Sequence, residues 1–208
     1  MIGDEALLMT FARALAKGDA ARASALLAAS PELAQTRFAS GATRQASKEC
    51  FLDGLRHLIY AGDTALHVAA AAYEAEIARE LVTAGASTAA VNRRGATPLH
   101  YAVDGGPNSP RWNPVAQQRT VACLIELGAD LNAFDKNGTA PLHRAVRNRC
   151  AAAVRALLDA GADPHVPNRS GSTPVQLAHW TTGRGGSGSA DARAQQDLIL
   201  RLLQAAAA

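Results

Sequence analysis

Apolar residues recur along this chain at three- and four-residue intervals, the period of amphipathic helices rather than of strands. Leu7, Leu8, Phe11, Ala12 and Leu15 mark a first helix. Lys17-Gly18-Asp19 then turns the chain, and Ala23 to Ala29 supply a second helix. Further on, Leu99-His100-Tyr101-Ala102-Val103 reads as a short helix. The pairs Leu81-Val82, Leu124-Ile125 and Leu157-Leu158 close longer ones, and Leu198, Ile199, Leu202 and Leu203 form the last apolar set. Between Ala46 and Ile59, the positions of Phe51, Leu55, Leu58 and Ile59 predict one more helix, with Asp53 and His57 on another of its faces.

These elements repeat. The segments Gly62-Asp63-Thr64-Ala65-Leu66-His67, Gly95-Ala96-Thr97-Pro98-Leu99-His100, Gly138-Thr139-Ala140-Pro141-Leu142-His143 and Gly171-Ser172-Thr173-Pro174-Val175-Gln176 align, their glycines 33, 43 and 33 residues apart. A Gly-Ala pair at Gly85, Gly128 and Gly161 precedes the next repeat's glycine by ten residues each time. Each copy reads as turn, inner helix, turn, outer helix. Thr64 and Thr97 suit the start of the inner helix, and Pro98, Pro141 and Pro174 suit its first turn, where no amide donor is lost. The glycine of Gly-Ala fits a left-handed helix end.

The 33-residue period, the Thr-Pro-Leu-His signature and the Gly-Ala-Asp tail closely resemble the ankyrin repeat over residues 62–204, and the alanine content gives the chain a bacterial look. The resemblance implies an all-α solenoid of about five helix pairs with β-turn fingers, forming a single domain. Residues 1–34 would be a capping repeat and 35–61 an inserted segment with an extra helix. Repeats at 62–92, 93–133, 134–167 and 168–204 would follow.

Three departures from the period stand out. About 22 extra residues fall around Gln35–Tyr60. Ten enter the loop that runs from Gly105 to Pro114, and about 12 surround Trp180–Ser189. The two later loops each carry one Trp and one Arg, and they should bracket one edge of the fourth repeat.

Composition narrows the class. Alanine is the most frequent residue, whereas aromatics are only 4%, which suits closely packed helices and argues against an all-β fold. No apolar run reaches the ~18 residues of a membrane span, and the acidic start does not resemble a secretory signal. Three widely separated cysteines support neither a disulfide framework nor a zinc site. A cytoplasmic, monomeric protein is the simplest expectation. A net charge of +3 is too mild for a dedicated nucleic-acid binder.

The charge is uneven, however. Residues 93–170 carry ten Lys/Arg against six Asp/Glu. On the repeat template, Arg93, Arg94, Tyr101, Asp104, Lys136, Arg144, Arg147 and Arg169 face the concave groove, flanked by Trp112 and Trp180. An Arg-rich groove with aromatic neighbours suits an acidic or anionic protein partner; the competing reading is a solvated charged face. The predicted binding set is therefore Arg94, Tyr101, Asp104, Trp112, Lys136, Arg144, Arg147 and Trp180.

His67, His100 and His143 are read as a structural ladder. Stacked repeats sit about 10 Å apart, too far to share a zinc ion whose ligands lie near 2 Å. No metal or cofactor is expected. Gly183–Ser189 lacks the strand and Gly-Lys-Ser/Thr context of a phosphate loop, which leaves Ser189 as a helix cap. No catalytic signature is present, so a binding module is favoured over an enzyme. The alternative is a small-molecule binder or enzyme whose pocket, near Asp53, His57, Tyr60, Asp104 and His179, is covered by the 35–60 segment.

Overall fold

The inner helices of the repeats over residues 62–204 start where the sequence places their threonine or proline. In the computed structural model, which describes residues 2–43, 48–107, 109, 111–179 and 189–206, the inner helices are α1 (Ile2–Ala16), α3 (Ala65–Ala71), α5 (Pro98–Ala102), α7 (Pro141–Arg147) and α9 (Pro174–Ala178). Their outer partners are α2 (Ala20–Ala29), α4 (Ala75–Thr83), α6 (Pro114–Glu126), α8 (Ala151–Asp159) and α10 (Ala190–Ala206). Inner helices touch the next inner helix, and outer helices the next outer one. The result is an all-α solenoid of five helix pairs, in which each repeat buries its apolar face only against its neighbours. Leu66, Leu99 and Leu142 from the inner row and Leu81, Leu124 and Leu157 from the outer row are almost completely buried.

The histidine ladder closes the inner row. His67 Nδ1 accepts the Thr64 N–H at 3.2 Å, so its Nε2 must carry the proton, which it donates to Ala96 O of the next repeat at 3.0 Å. His100 does the same between Thr97 N (3.1 Å) and Thr139 O (2.8 Å). His143 joins Ala140 N (3.3 Å) to Ser172 O (3.2 Å). Burial first of all holds these rings neutral, pushing His67 down to about 3 and His100 to about 4.

The fingers are built on a recurring side chain. Asn92, Asp135 and Asn168 stand three residues before each finger glycine. Each Oδ1 accepts two backbone N–H groups, from Arg94 and Ala96, from Asn137 and Thr139, and from Ser170 and Ser172, at 2.8–3.1 Å. Gly138 shows why the finger ends in glycine. Its φ is +65°, and a Cβ there would sit 2.7 Å from Arg169 N of the adjacent finger.

The first insertion departs from expectation. Where a helix was expected from Ala46 to Ile59, of which 46–47 lie outside the described residues, the chain forms a two-stranded hairpin of β1 (Phe51–Leu52) and β2 (His57–Leu58), with Leu52 opposite His57. The apolar spacing at Phe51, Leu55, Leu58 and Ile59 was compatible with a helix. The four-residue loop Asp53-Gly54-Leu55-Arg56, closing with Arg56 at φ +50°, instead reverses the chain. Gly54 lets that loop approach α1 so closely that a Cβ would overlap Ala16 O. Ser189 caps α10 as expected, its Oγ accepting the Ala192 N–H at 3.1 Å. Trp180 and the rest of its loop through Gly188 lie outside the described residues.

Candidate functional site

The hairpin lies against the concave face and divides it. The His57 ring meets Tyr101 edge-on at 4.4 Å between centroids. Tyr60 sits beneath two guanidinium groups, Arg93 at 5.2 Å and Arg94 at 5.0 Å from its ring centre. Arg94 also donates to the Tyr60 hydroxyl at 2.9 Å, and Arg93 donates to Ala42 O. From the other edge, Arg111 of the second insertion donates to Ala16 O and, at 3.1 Å, to Gly54 O. One guanidinium thus ties the end of α1 to the hairpin loop and satisfies a helix-terminal carbonyl. The two insertions, separate in sequence, meet in space.

This arrangement corrects several sequence-based positions. Tyr101 lies in the floor of the groove but offers a ligand almost no surface. It is 2% exposed, and its hydroxyl donates to Asp63 Oδ2 at 2.9 Å while accepting from Asn92 Nδ2 at 2.8 Å. Asp63 is itself buried, and desolvation lifts its carboxyl to about 6 against the bonds from Tyr60 N, Asn92 and Tyr101. Arg144 is not a solvated cation awaiting a partner. Its side chain, 17% exposed, lies between Asp104 and Asp135, with both Nη–Oδ2 distances 3.1 Å. Trp112 does not fold over the groove. Its Nε1 donates to Gln117 Oε1 at 3.0 Å, and Gln117 in turn donates to Asp104 O at 3.2 Å, so Trp112 fastens its own loop to α6.

Two concave spaces bear on the predicted residues and the insertions. The central one, about 440 Å³, brings together Arg94, Tyr101, Asp104, Arg144 and Arg147 of the predicted set, joined by His57 and Tyr60 from the hairpin. Lys136 and Trp112 are not part of its wall. Lys136 is exposed at a finger tip whose backbone N–H bonds Arg94 O at 2.9 Å. Arg169 is exposed at the next tip, and His179 is exposed at the end of α9. The second, about 730 Å³, opens between the hairpin tip, the α3–α4 turn and the second insertion at Gly105, Gly106, Ser109 and Arg111.

Sequence reasoning missed Asp63, Asn92, Asp135, Arg111 and Gln117. Asn92, Asp135 and Asn168 were visible as a periodic Asn/Asp three residues before glycine. The contacts of Arg111 depend on chain segments far apart and left no local signal, whereas Gln117 reaches Trp112 and Asp104 within its own repeat, whose inserted loop follows a path the repeat template does not give.

Cys150 is completely buried against Gly105 O, and burial pushes its thiol up to about 12. Among the described residues, no group of three or more His, Cys, Asp or Glu could hold a metal ion, and no helix is long and apolar enough to cross a membrane.

Comparison with known proteins agrees with this architecture. Over 118 residues the chain is 39% identical to mouse (Mus musculus) ankyrin repeat and SOCS box protein 16, covering 55% of this chain and 25% of that protein. It is 39% identical over 88 residues to protein fem-1 homolog A of Danio rerio, covering 41% and 14%. It is 34% identical over 113 residues to the mouse B-cell lymphoma 3 protein homolog, covering 54% and 24%. The chain therefore spans a quarter or less of these relatives' length. All three are animal proteins, which gives the bacterial look expected from the alanine content no support. Family models for ankyrin repeats match residues 14–110 (three copies), 94–136 (a single repeat) and 124–178 (many copies). With the helix pairs, fingers and histidine ladder in the same register, the chain belongs to the ankyrin-repeat family.

Proposed function

We propose that this protein is an interaction module that takes an extended, acidic segment of a protein partner along the open part of its concave face. The observation that carries this reading is the row of exposed cations on successive finger tips, Arg94, Lys136 and Arg169, beside the 440 Å³ central hollow. Adjacent tips are joined by backbone bonds, Lys136 N to Arg94 O (2.9 Å) and Arg169 N to Asn137 O (3.2 Å), which fixes the backbone positions from which the cations extend. Exposed cations spaced along a rigid edge form charge-assisted bonds with carboxylates at small desolvation cost. The Arg144 centre serves differently from what its sequence position suggests. Clamped between two carboxylates, it shapes the floor and leaves recognition to the tips.

The test is selection of peptides from an unbiased displayed library on the immobilised protein. Acidic sequences should dominate, and their binding should fall at least about tenfold in a Lys136→Glu/Arg169→Glu variant, with a steep salt dependence. Enrichment of basic or purely apolar peptides, or indifference to the charge reversal, would overturn the proposal.

A further inference from the structure

We infer that the space between the two insertions is a binding site for a small molecule carrying a phosphate or carboxylate group. At about 730 Å³ it falls within the range of small-ligand pockets. Its walls come from both departures from the repeat, Leu55–His57 of the hairpin and Asp104, Gly105, Gly106, Ser109, Arg111 and Asn113 of the second loop, with the α3–α4 turn and the start of α6. A regular solenoid without these insertions would have no such enclosure.

Charge gives the ligand its class. Among the described residues, the Arg56 side chain makes no hydrogen bond or ion pair, its backbone N–H alone bonding Asp53 O at 3.1 Å, and the Arg111 guanidinium bonds only to the neutral carbonyls of Ala16 and Gly54. Two guanidinium groups therefore line the cavity without an ion pair, Asp53 lying with them on the other side of the hairpin loop. The remaining charges in the wall are largely matched. Arg119 pairs with Glu76 at 3.4 Å, and Asp104 pairs with Arg144 at 3.1 Å. Glu74 is left as the single carboxylate in the wall without an arginine. The balance is positive, with one acceptor to spare for a hydroxyl or amino group of the ligand.

A third feature points the same way. His57 belongs to this wall, and its Nε2 is shielded from solvent without a hydrogen-bond partner among the described residues. A polar atom buried in that state is unfavourable, and a ligand atom would supply what folding does not. Two guanidinium groups and a ring nitrogen in one cavity wall suit an oxyanion, which accepts several charge-assisted bonds at once.

The experiment is calorimetric titration of the protein with AMP, citrate and inorganic phosphate, with adenosine as the uncharged control. The three oxyanions separate a phosphorylated from a carboxylated ligand. AMP or citrate should bind at or below about 1 mM, and adenosine should not. Arg56→Asn removes the charge at a position whose positive φ asparagine tolerates, so the hairpin should persist and oxyanion binding should fall about tenfold. His57→Phe keeps a ring against Tyr101 and should also weaken binding, with the melting temperature of both variants confirming that they fold. The inference fails if none of the oxyanions binds up to about 10 mM, if adenosine binds as well as AMP, or if Arg56→Asn binds as tightly as the wild type.

Discussion

Replacing Arg144 by methionine keeps an unbranched stem and removes the cation that joins Asp104 to Asp135. The two carboxylates then differ in their options. The Asp104 side chain is 27% exposed and can rehydrate, whereas that of Asp135 is only 4% exposed. Asp135 Oδ1 keeps its bonds from Asn137 N (2.8 Å) and Thr139 N (3.0 Å), but Oδ2 loses the guanidinium. Breaking a buried pair costs roughly 3–5 kcal/mol, and the partial exposure of Arg144 places this case near the lower end, about 3 kcal/mol. At about 2–4 °C per kcal/mol for a chain of this size, the melting temperature should fall by about 6–12 °C.

The loss should also depend on pH, with a definite sign. Burial alone would raise the Asp135 carboxyl, but its backbone bonds to Thr139 and Asn137 and the bond from Arg144 outweigh it and hold the group below the usual carboxylate value. A lowered carboxyl contributes stability above its unfolded value and loses it as pH falls through the folded one. Wild type and Arg144→Met should therefore differ most near neutrality and converge below about pH 4. Urea denaturation at a series of pH values measures this. A difference under about 1 kcal/mol at pH 7, the size of an exposed ion pair, or one unchanged by acid, would refute the account of Arg144 as a clamped cation.

Leu142, 1% exposed between repeats, should cost about 2–5 kcal/mol when cut to alanine, and an unchanged denaturation midpoint would mean that the packing register is wrong. The ladder should make the protein acid-sensitive. Neutral buried histidines lose their contribution as pH falls below about 6.5 toward the folded values of about 3 and 4, while Asp63, raised to about 6, pulls the opposite way over part of that range. The histidines outweigh it, so stability should drop by about 2–3 kcal/mol from pH 7 to 5. A flat profile by thermal melting would argue against neutral ladder rings, as would a profile that His100→Gln leaves unchanged.

What the sequence determined by itself was everything with a short period. Helix pairs, finger glycines and the prolines at helix starts follow from interactions within a few residues. The histidine ladder follows because each repeat presents the same groups to the next. A 33-residue unit that buries its face against a copy of itself writes its packing into its own repetition. The insertions obey no such rule. Whether Phe51, Leu55 and Leu58 lie on a helix or a hairpin was decided by the surface available to cover, the inner face at Tyr101 and the end of α1, where only Gly54 permits the approach. The same holds for charge. Arg144 and Lys136 are both cations predicted to face the groove. One is bound between Asp104 and Asp135, from the preceding repeat's loop and its own finger, while the other stands in solvent at a tip. A guanidinium's partners are set by which backbones the superhelix brings within 3 Å or so of it, and that distance belongs to the tertiary structure alone.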